Sequence, residues 1–372
     1  MTLSFIDGNE AIALAAVRAG CSFFAGYPIT PATTIYQHML NLLPPAGGVC
    51  LQGEDEIASI GFCLGASMAG KKAMIATSGP GISLMSEQIS FAIGGEIPLV
   101  IIDVQRLGPS TGSATKGADG DIRFLRWGNS GGLPVVVLAP VDVRDCYILT
   151  MHGFNLAERY RCPVCIASNK EIAMTRESVD LDNLDIPEME TRISCPADER
   201  FLPFCAAPGS RVPYFLPIGG DRPVRQTSST HGPQGYITTD RELIAAAVDR
   251  LAKKLEAGGE DLVCYELDER PQADTLVIVY GVTARAAREA VNRLRRYGAQ
   301  VSLLVLKTLY PVPEKLIRRC IAQVGEVVVI EMNLGQYVLE IERLAGSVPV
   351  RQYGRMDGEL ISPDTIREVI EG

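Results

Sequence analysis

The chain has 372 residues, 47% hydrophobic and 21% charged, with a net charge of −9. That length predicts two or three domains with sizeable cores, and the composition excludes bulk disorder. The acidic balance argues against nucleic acid as a partner, since phosphate binding calls for a basic face. The N-terminal stretch carries Asp7 and Glu10 instead of a basic secretion signal, and no apolar run reaches the roughly 18 residues of a spanning helix. The expected location is therefore the cytoplasm, with no membrane association.

In chain order, the pattern predicts an alanine-rich helix over 9–18 stopped by Gly20, a strand over 21–27 and a helix over 32–43. The apolar runs KKAMIAT, IPLVIIDV, PVVVLAP and CPVCIAS follow, with helical stretches between most of them. Near-continuous apolar strands alternating with helices indicate a doubly wound parallel sheet covered on both faces. From 178 to 240 the chain is rich in Pro, Asp and Gly and loses periodicity, as expected of a long irregular functional or interface segment. Thr239 or Asp240 then caps a helix. A βαβ unit is expected with strands over 275–280 and 301–306, a helix over 283–297 and a glycine stop at Gly298; GEVVVIEMN adds a strand and QYVLEIERLAG a helix. The expected division is a first α/β domain over 1–177, an irregular interface or linker segment over 178–245, and a smaller C-terminal α/β domain over 246–372.

Several motifs carry little chemistry. Cys162 and Cys165 form the one CxxC among ten cysteines, within a strand, and read as buried thiols; no CxxCxxC run is present to hold an iron–sulfur cluster. Gly79-Pro80-Gly81 lacks the third glycine of a dinucleotide fingerprint, and no phosphate-binding GxxxxGK[ST] loop occurs. His38, His152 and His231 show no ligand spacing, so no metal site is expected. Asp119-Gly120-Asp121 reads as turn chemistry.

Four features remain. Tyr27-Pro28-Ile29-Thr30-Pro31 stiffens a strand end around one threonine hydroxyl. Glu56 opens the apolar stretch IASIGFCLGASMAG, expected to be a helix buried all round, and a carboxylate at the mouth of a buried helix needs a partner. Thr77, Ser78, Gly79 and Pro80 turn from a strand end into a helix, where hydroxyls and free N–H groups can hold a polar ligand. Arg106 leads a Gly/Ser/Thr loop running through Thr115, the donor set of a carboxylate pocket. All four follow predicted strands or open helices, which places them at the carboxyl edge of one parallel sheet, where such sheets bind ligands.

With these residues in hand, the chain resembles the α subunit of a 2-oxoacid:ferredoxin oxidoreductase, of the 2-oxoglutarate type without a fused γ domain. The resemblance lies in GNEAIALAAVRAGCSFFAGYPITPAT, GEDEIASIGFCLGASMAG, ATSGPGISLM, VQRLGPSTG and RYRCPVCIAS, and less strongly in VVVIEMNLGQ. It implies a thiamine diphosphate-binding, pyrimidine-type domain followed by a transketolase-C-like domain. It also implies a β subunit that carries Mg2+ and an iron–sulfur cluster, ferredoxin as electron acceptor, coenzyme A and a 2-oxoacid as substrates, and an (αβ)2 assembly. By the same resemblance, Glu56 bonds the pyrimidine ring nitrogen, Thr77 to Pro80 line the cofactor, and Tyr27, Pro28, Ile29, Thr30, Arg106 and Thr115 meet the 2-oxoacid. Ser113-Ala114-Thr115 and Asp119 depart from the family's usual Leu-Pro-Thr and glutamine, so substrate choice is expected to reside in this loop, with Lys116, Arg123 or the β chain reading a distal carboxylate. The rival readings are the same chemistry on pyruvate, branched-chain or aromatic 2-oxoacids, and a scaffold subunit that kept the fold without the chemistry.

Overall fold

A computed structural model describes residues 3–256 and 259–372. Residues 1, 2, 257 and 258, which fall within the expected first and last domains, lie outside the described residues. The first half supplies β1 (Ser4–Asp7), β2 (Phe23–Gly26), β3 (Val49–Gln52), β4 (Ala73–Thr77), β5 (Leu99–Gln105), β6 (Val136–Leu138), β7 (Pro163–Asn169) and β8 (Arg176–Val179). The second half supplies β9 (Tyr265–Asp268), β10 (Thr275–Tyr280), β11 (Val301–Leu306), β12 (Thr308–Tyr310), β13 (Glu326–Glu331) and β14 (Val350–Gly354).

Six strands of the first half form a parallel sheet in the order β6-β7-β5-β4-β2-β3. Along β5 the side chains alternate between two cores: Val100, Ile102 and Val104 pack on one face, Leu99 and Ile101 on the other. That is why β5 and β7 read as unbroken apolar runs. Cys162 and Cys165 divide between the same two cores and are both buried. The first helix, Gly8–Arg18, is capped by Asp7, whose carboxylate accepts the Glu10 N–H at 2.9 Å.

β10, β11, β13 and β14 make a second, mostly parallel sheet, with β9 antiparallel at its edge. The predicted strands over 275–280 and 301–306 appear at those bounds, and Asp240 caps the helix Arg241–Glu256 by accepting from Glu242 N and Leu243 N. β12 was not foreseen. It leaves the second sheet to pair antiparallel with β6, Thr308 opposite Leu138, and so extends the first sheet to seven strands. Segment 180–240 is mostly irregular, as expected, and is pinned by charge. Arg192 is buried and donates to both Glu158 oxygens, to the Ser67 carbonyl at 2.8 Å and to the Lys71 carbonyl at 3.0 Å.

The helix Glu56–Met68 departs from expectation. It is apolar nearly all round, yet only one side is buried: Ile60, Cys63 and Leu64 are inside, while Ile57, Gly61, Phe62 and Gly65 are exposed. A uniformly apolar helix on a surface leaves a face that its own chain does not cover.

Candidate active site

Because β2 to β7 run parallel, their carboxyl ends open on one edge, and the four sequence features meet there. Tyr27–Thr30 follows β2, Glu56 follows β3 across a short turn, Ser78 follows β4, and Arg106 follows β5.

Arg106 is the residue that joins two of them. Its Nη1 donates to the Thr30 carbonyl at 2.6 Å and its Nη2 to the Thr111 carbonyl at 2.9 Å, while Nε is buried without a partner. The guanidinium thus ties the proline-flanked turn to the Gly/Ser/Thr loop. On the far side of that turn, buried Asn9 donates to the Pro31 carbonyl at 2.9 Å and to Thr34 Oγ1 at 2.6 Å. Sequence reading missed Asn9, which lay in an ordinary helical pattern. With its backbone held on both sides, Thr30 itself is exposed, and Tyr27 is 40% exposed beside half-buried Pro28 and Ile29.

Glu56 lies one residue inside its helix, whose N-cap Asp55 accepts the Ala58 N–H at 2.7 Å, and it is 6% exposed. It packs against Gly81. A Cβ at Gly81 would lie 2.6 Å from Glu56 Cγ, 2.8 Å from Oε1 and 2.0 Å from Thr77 Oγ1. A side chain at 81 is therefore excluded by the glutamate and the threonine together. Ser78 is fully buried and its hydroxyl has no hydrogen-bond partner. Gly79 and Pro80 begin the short helix Gly79–Leu84 at Ser78, three residues earlier than the expected start near Ile82.

Thr115 is exposed and not brought to Thr30 or Arg106 by any hydrogen bond among the described residues; Thr111, through its carbonyl, takes that place. Lys116 is committed to Glu359 at 2.6 Å, a half-exposed pair. Arg123 lies on the following helix, its N–H bonded to Gln336 Oε1.

The Asp119-Gly120-Asp121 turn, expected to be turn chemistry, carries a buried carboxylate. Asp119 is 2% exposed: its Oδ1 accepts from Asn169 Nδ2 at 3.0 Å, and its carbonyl accepts from Asn333 Nδ2 at 2.8 Å. Asn333 also donates to the Tyr280 hydroxyl, which donates in turn to Glu331. Asp119 is therefore buried between β7 and the segment after β13, while Gly120 and Asp121 are half-buried. Elsewhere, Asp7, Glu10 and His38 each bring one potential ligand atom within 4.8 Å of the others, a proximity that their sequence separation did not announce.

A bare glycine against a buried glutamate, an orphaned serine hydroxyl and an arginine-braced threonine share one edge of the parallel sheet, within the region that a thiamine diphosphate-binding family model matches. Residues 14–248 match the family model described as pyruvate flavodoxin/ferredoxin oxidoreductase, thiamine diphosphate-binding, and residues 273–366 match pyruvate:ferredoxin oxidoreductase core domain II. The chain belongs to this family of 2-oxoacid:ferredoxin oxidoreductases. It is 39% identical over 374 residues to the 2-oxoglutarate synthase subunit KorA of Methanocaldococcus jannaschii, covering 100% of both chains. It is 32% identical to the ketoisovalerate oxidoreductase subunit VorB of Methanothermobacter marburgensis, over 100% of this chain and 98% of that one. Among solved structures it resembles the 2-oxoglutarate:ferredoxin oxidoreductase from Magnetococcus marinus with 2-oxoglutarate, coenzyme A and succinyl-CoA bound, with a TM-score of 0.92 and 31% identity. The chain covers 65% of the length of that solved chain.

Proposed function

We propose that this chain is the α subunit of a 2-oxoglutarate:ferredoxin oxidoreductase, which with coenzyme A converts a 2-oxoacid to an acyl thioester, CO2 and two electrons. The observation that carries the reading is the Glu56–Gly81–Thr77 cradle beside the Arg106–Thr30 brace, in a chain matched along its whole length by 2-oxoglutarate synthase subunits.

The residues fit thiamine diphosphate. The bare Gly81 lets Glu56 and Thr77 pack directly against the backbone, and the orphaned Ser78 hydroxyl offers a polar contact close by. When bound, the cofactor supplies the carbon nucleophile for decarboxylation. Glu56 would hold a proton toward the pyrimidine ring nitrogen of the bound cofactor, and Thr77, Ser78, Gly79 and Pro80 would line its site. Arg106, fixed by two carbonyls and with Nε uncommitted, binds the carboxylate of the 2-oxoacid. Thr30 presents its hydroxyl to the same substrate, Tyr27, Pro28 and Ile29 shape the approach, and Thr115 contributes from the exposed rim of the loop. The exposed face of Glu56–Met68 starts next to Glu56, so a partner subunit docked there closes the site. We assign Mg2+ and the iron–sulfur cluster to that β subunit, electron transfer to ferredoxin, and the assembly to (αβ)2, with chain divisions near 177 and 245.

The test is co-expression with the β chain encoded beside it, followed by coenzyme A-dependent viologen reduction with a panel of 2-oxoacids. The highest kcat/KM is expected with 2-oxoglutarate. A preference for 2-oxoisovalerate, the branched-chain alternative suggested by the likeness to VorB, would overturn the substrate assignment. Failure of every 2-oxoacid in a stable two-chain complex would overturn the enzyme.

A further inference from the structure

The sequence block VVVIEMNLGQ ends at the carboxyl edge of the second sheet. β10, β13 and β14 run parallel, so the segments that leave them, with Gly281, 332–336 and 355–359, share that edge. In an open parallel sheet this edge is where a ligand is held. Here it holds a stretch of the chain's own first half, 116–123, which closes the loop that Arg106 opens.

The Asp119 N–H donates to the Met332 carbonyl at 2.9 Å, and Asn333 Nδ2 donates to the Asp119 carbonyl at 2.8 Å. Gln336 spans the next turn: its Nε2 donates to the Gly120 carbonyl at 2.6 Å and its Oε1 accepts the Arg123 N–H at 2.8 Å. Asn333 is fully buried and all four of its hydrogen-bonding positions are used, the remaining three by the Tyr280 hydroxyl and the Gly335 and Gln336 N–H groups. Its amide therefore has one orientation, and it fixes the backbone from which Gln336 reaches out. After β14, Gly358 lies flat against Lys116: a Cβ there would sit 2.6 Å from Lys116 Cβ, and Glu359 pairs with the Lys116 ammonium at 2.6 Å.

These held residues reach Arg106 through both of its chain neighbours. The Asp121 N–H donates to Gln105 Oε1 at 3.0 Å, and the Leu107 N–H donates to the Lys116 carbonyl at 2.8 Å. The two halves of the chain are joined elsewhere, by the β12–β6 pairing and by Lys307 donating to Asp145 at 2.8 Å. The bonds from 332–336, by contrast, fall on a single segment, the one tied to the arginine's neighbour.

We propose that Asn333 and Gln336 are positioning residues for Arg106. Through them the carboxyl edge of the second sheet sets the substrate loop, and with it the angle at which the guanidinium meets the 2-oxoacid carboxylate. The second domain thus takes part in substrate binding without touching the substrate. The proposal rests on the reading of Arg106 as the carboxylate-binding group.

The experiment uses the complete two-chain enzyme at saturating coenzyme A and measures kcat and KM for the 2-oxoacid. Gln336→Met keeps the length of the side chain and removes both of its bonds to the loop. KM is expected to rise about three- to tenfold, with kcat changed by less than about twofold. In an Arg106→Lys background the same substitution should add little, because the placement of the guanidinium is already lost. Lys307→Met, which loosens the other join between the halves, should lower the thermal midpoint and leave KM where it was. If Gln336→Met does not fold, Gly358→Ala decides the matter: its methyl displaces Lys116 and should raise KM by the second route, through Leu107. An unchanged KM in the folded variant, an equal rise in the Arg106→Lys background, or an equal rise from Lys307→Met would overturn the proposal. If Arg106→Ala leaves KM unchanged, the reading of Arg106 fails instead.

Discussion

Arg106 Nη1 donates to the carbonyl of Thr30 at 2.6 Å, across 76 residues of chain. The bond makes the arginine a brace as well as a binding group, because the same guanidinium also holds Thr111. Arg106→Lys keeps the charge but cannot span two carbonyls in fixed fork geometry. It is expected to raise KM for the 2-oxoacid roughly 10- to 100-fold, the effect of losing a charge-assisted contact worth about 1.5–3 kcal/mol. Steady-state kinetics at saturating coenzyme A check this; an unchanged KM would move the carboxylate site elsewhere.

Glu56 and Gly81 form the second dependent pair. Glu56→Gln preserves shape but removes the carboxyl chemistry, and kcat is expected to fall roughly 10²–10⁴-fold. Gly81→Ala should reach a similar loss by a different route, since its methyl would collide with Glu56 and Thr77. Overpacking of this kind costs about 1–3 kcal/mol, visible as a lower thermal midpoint that Glu56→Gln does not share.

The exposed face beside Glu56 bears on assembly. Ile57 is 43% and Phe62 47% exposed, so Ile57→Asp with Phe62→Asp should change the stability of the isolated chain by about 0.5 kcal/mol or less. The same pair of charges, placed in the centre of an interface, should abolish co-purification of the partner subunit. Retention of a full complement of partner would place the interface on another face.

These relationships differ in how far the sequence announces them. The strands over 275–280 and 301–306 were legible to the residue, because period, glycine stop and flanking polarity agree there. β12 was not: three residues carry no periodicity, and its partner β6 lies about 170 positions earlier. Periodicity recognised the helix Glu56–Met68 but could not say whether its outer face is covered by its own chain or by another. Asp103 was hidden inside an apolar run, and Asp119-Gly120-Asp121 has turn composition wherever it occurs; only the contact with Asn333 from the second half reveals that Asp119 is buried.

Asp119 gives stability a pH dependence of known sign. Its carboxyl is lifted to about 7 by burial, while in the unfolded chain it titrates near 4. Between those values the folded state holds a proton that the unfolded state has released, so stability falls as pH rises across the window and levels off above it. Asp119→Asn removes the dependence and keeps an acceptor for Asn169. Its stability relative to the wild type should grow from pH 4 to pH 7 by an amount on the order of a few kcal/mol. Urea midpoints at the two ends of the window check this, and parallel curves would show that Asp119 keeps an ordinary pKa.

Arg192 fastens the irregular segment to the first sheet's helices. Its guanidinium is buried with Glu158, bonds the Ser67 and Lys71 carbonyls, and lies 4.5 Å from the centre of the Phe215 ring. Arg192→Ala leaves Glu158 buried without its cation, and removal of one partner from such a pair costs about 3–5 kcal/mol. Replacing both, as Arg192→Met with Glu158→Leu, removes the stranded charge and should recover most of that loss, though the Ser67 and Lys71 carbonyls lose their guanidinium donor. Denaturant unfolding of the wild type and the two variants separates the outcomes: a single variant no less stable than the wild type would mean that the segment is held by its apolar contacts alone. Limited proteolysis gives the local reading, since cleavage in 180–240 should appear first in Arg192→Ala, where the segment has lost the four guanidinium hydrogen bonds that anchor it to Glu158, Ser67 and Lys71.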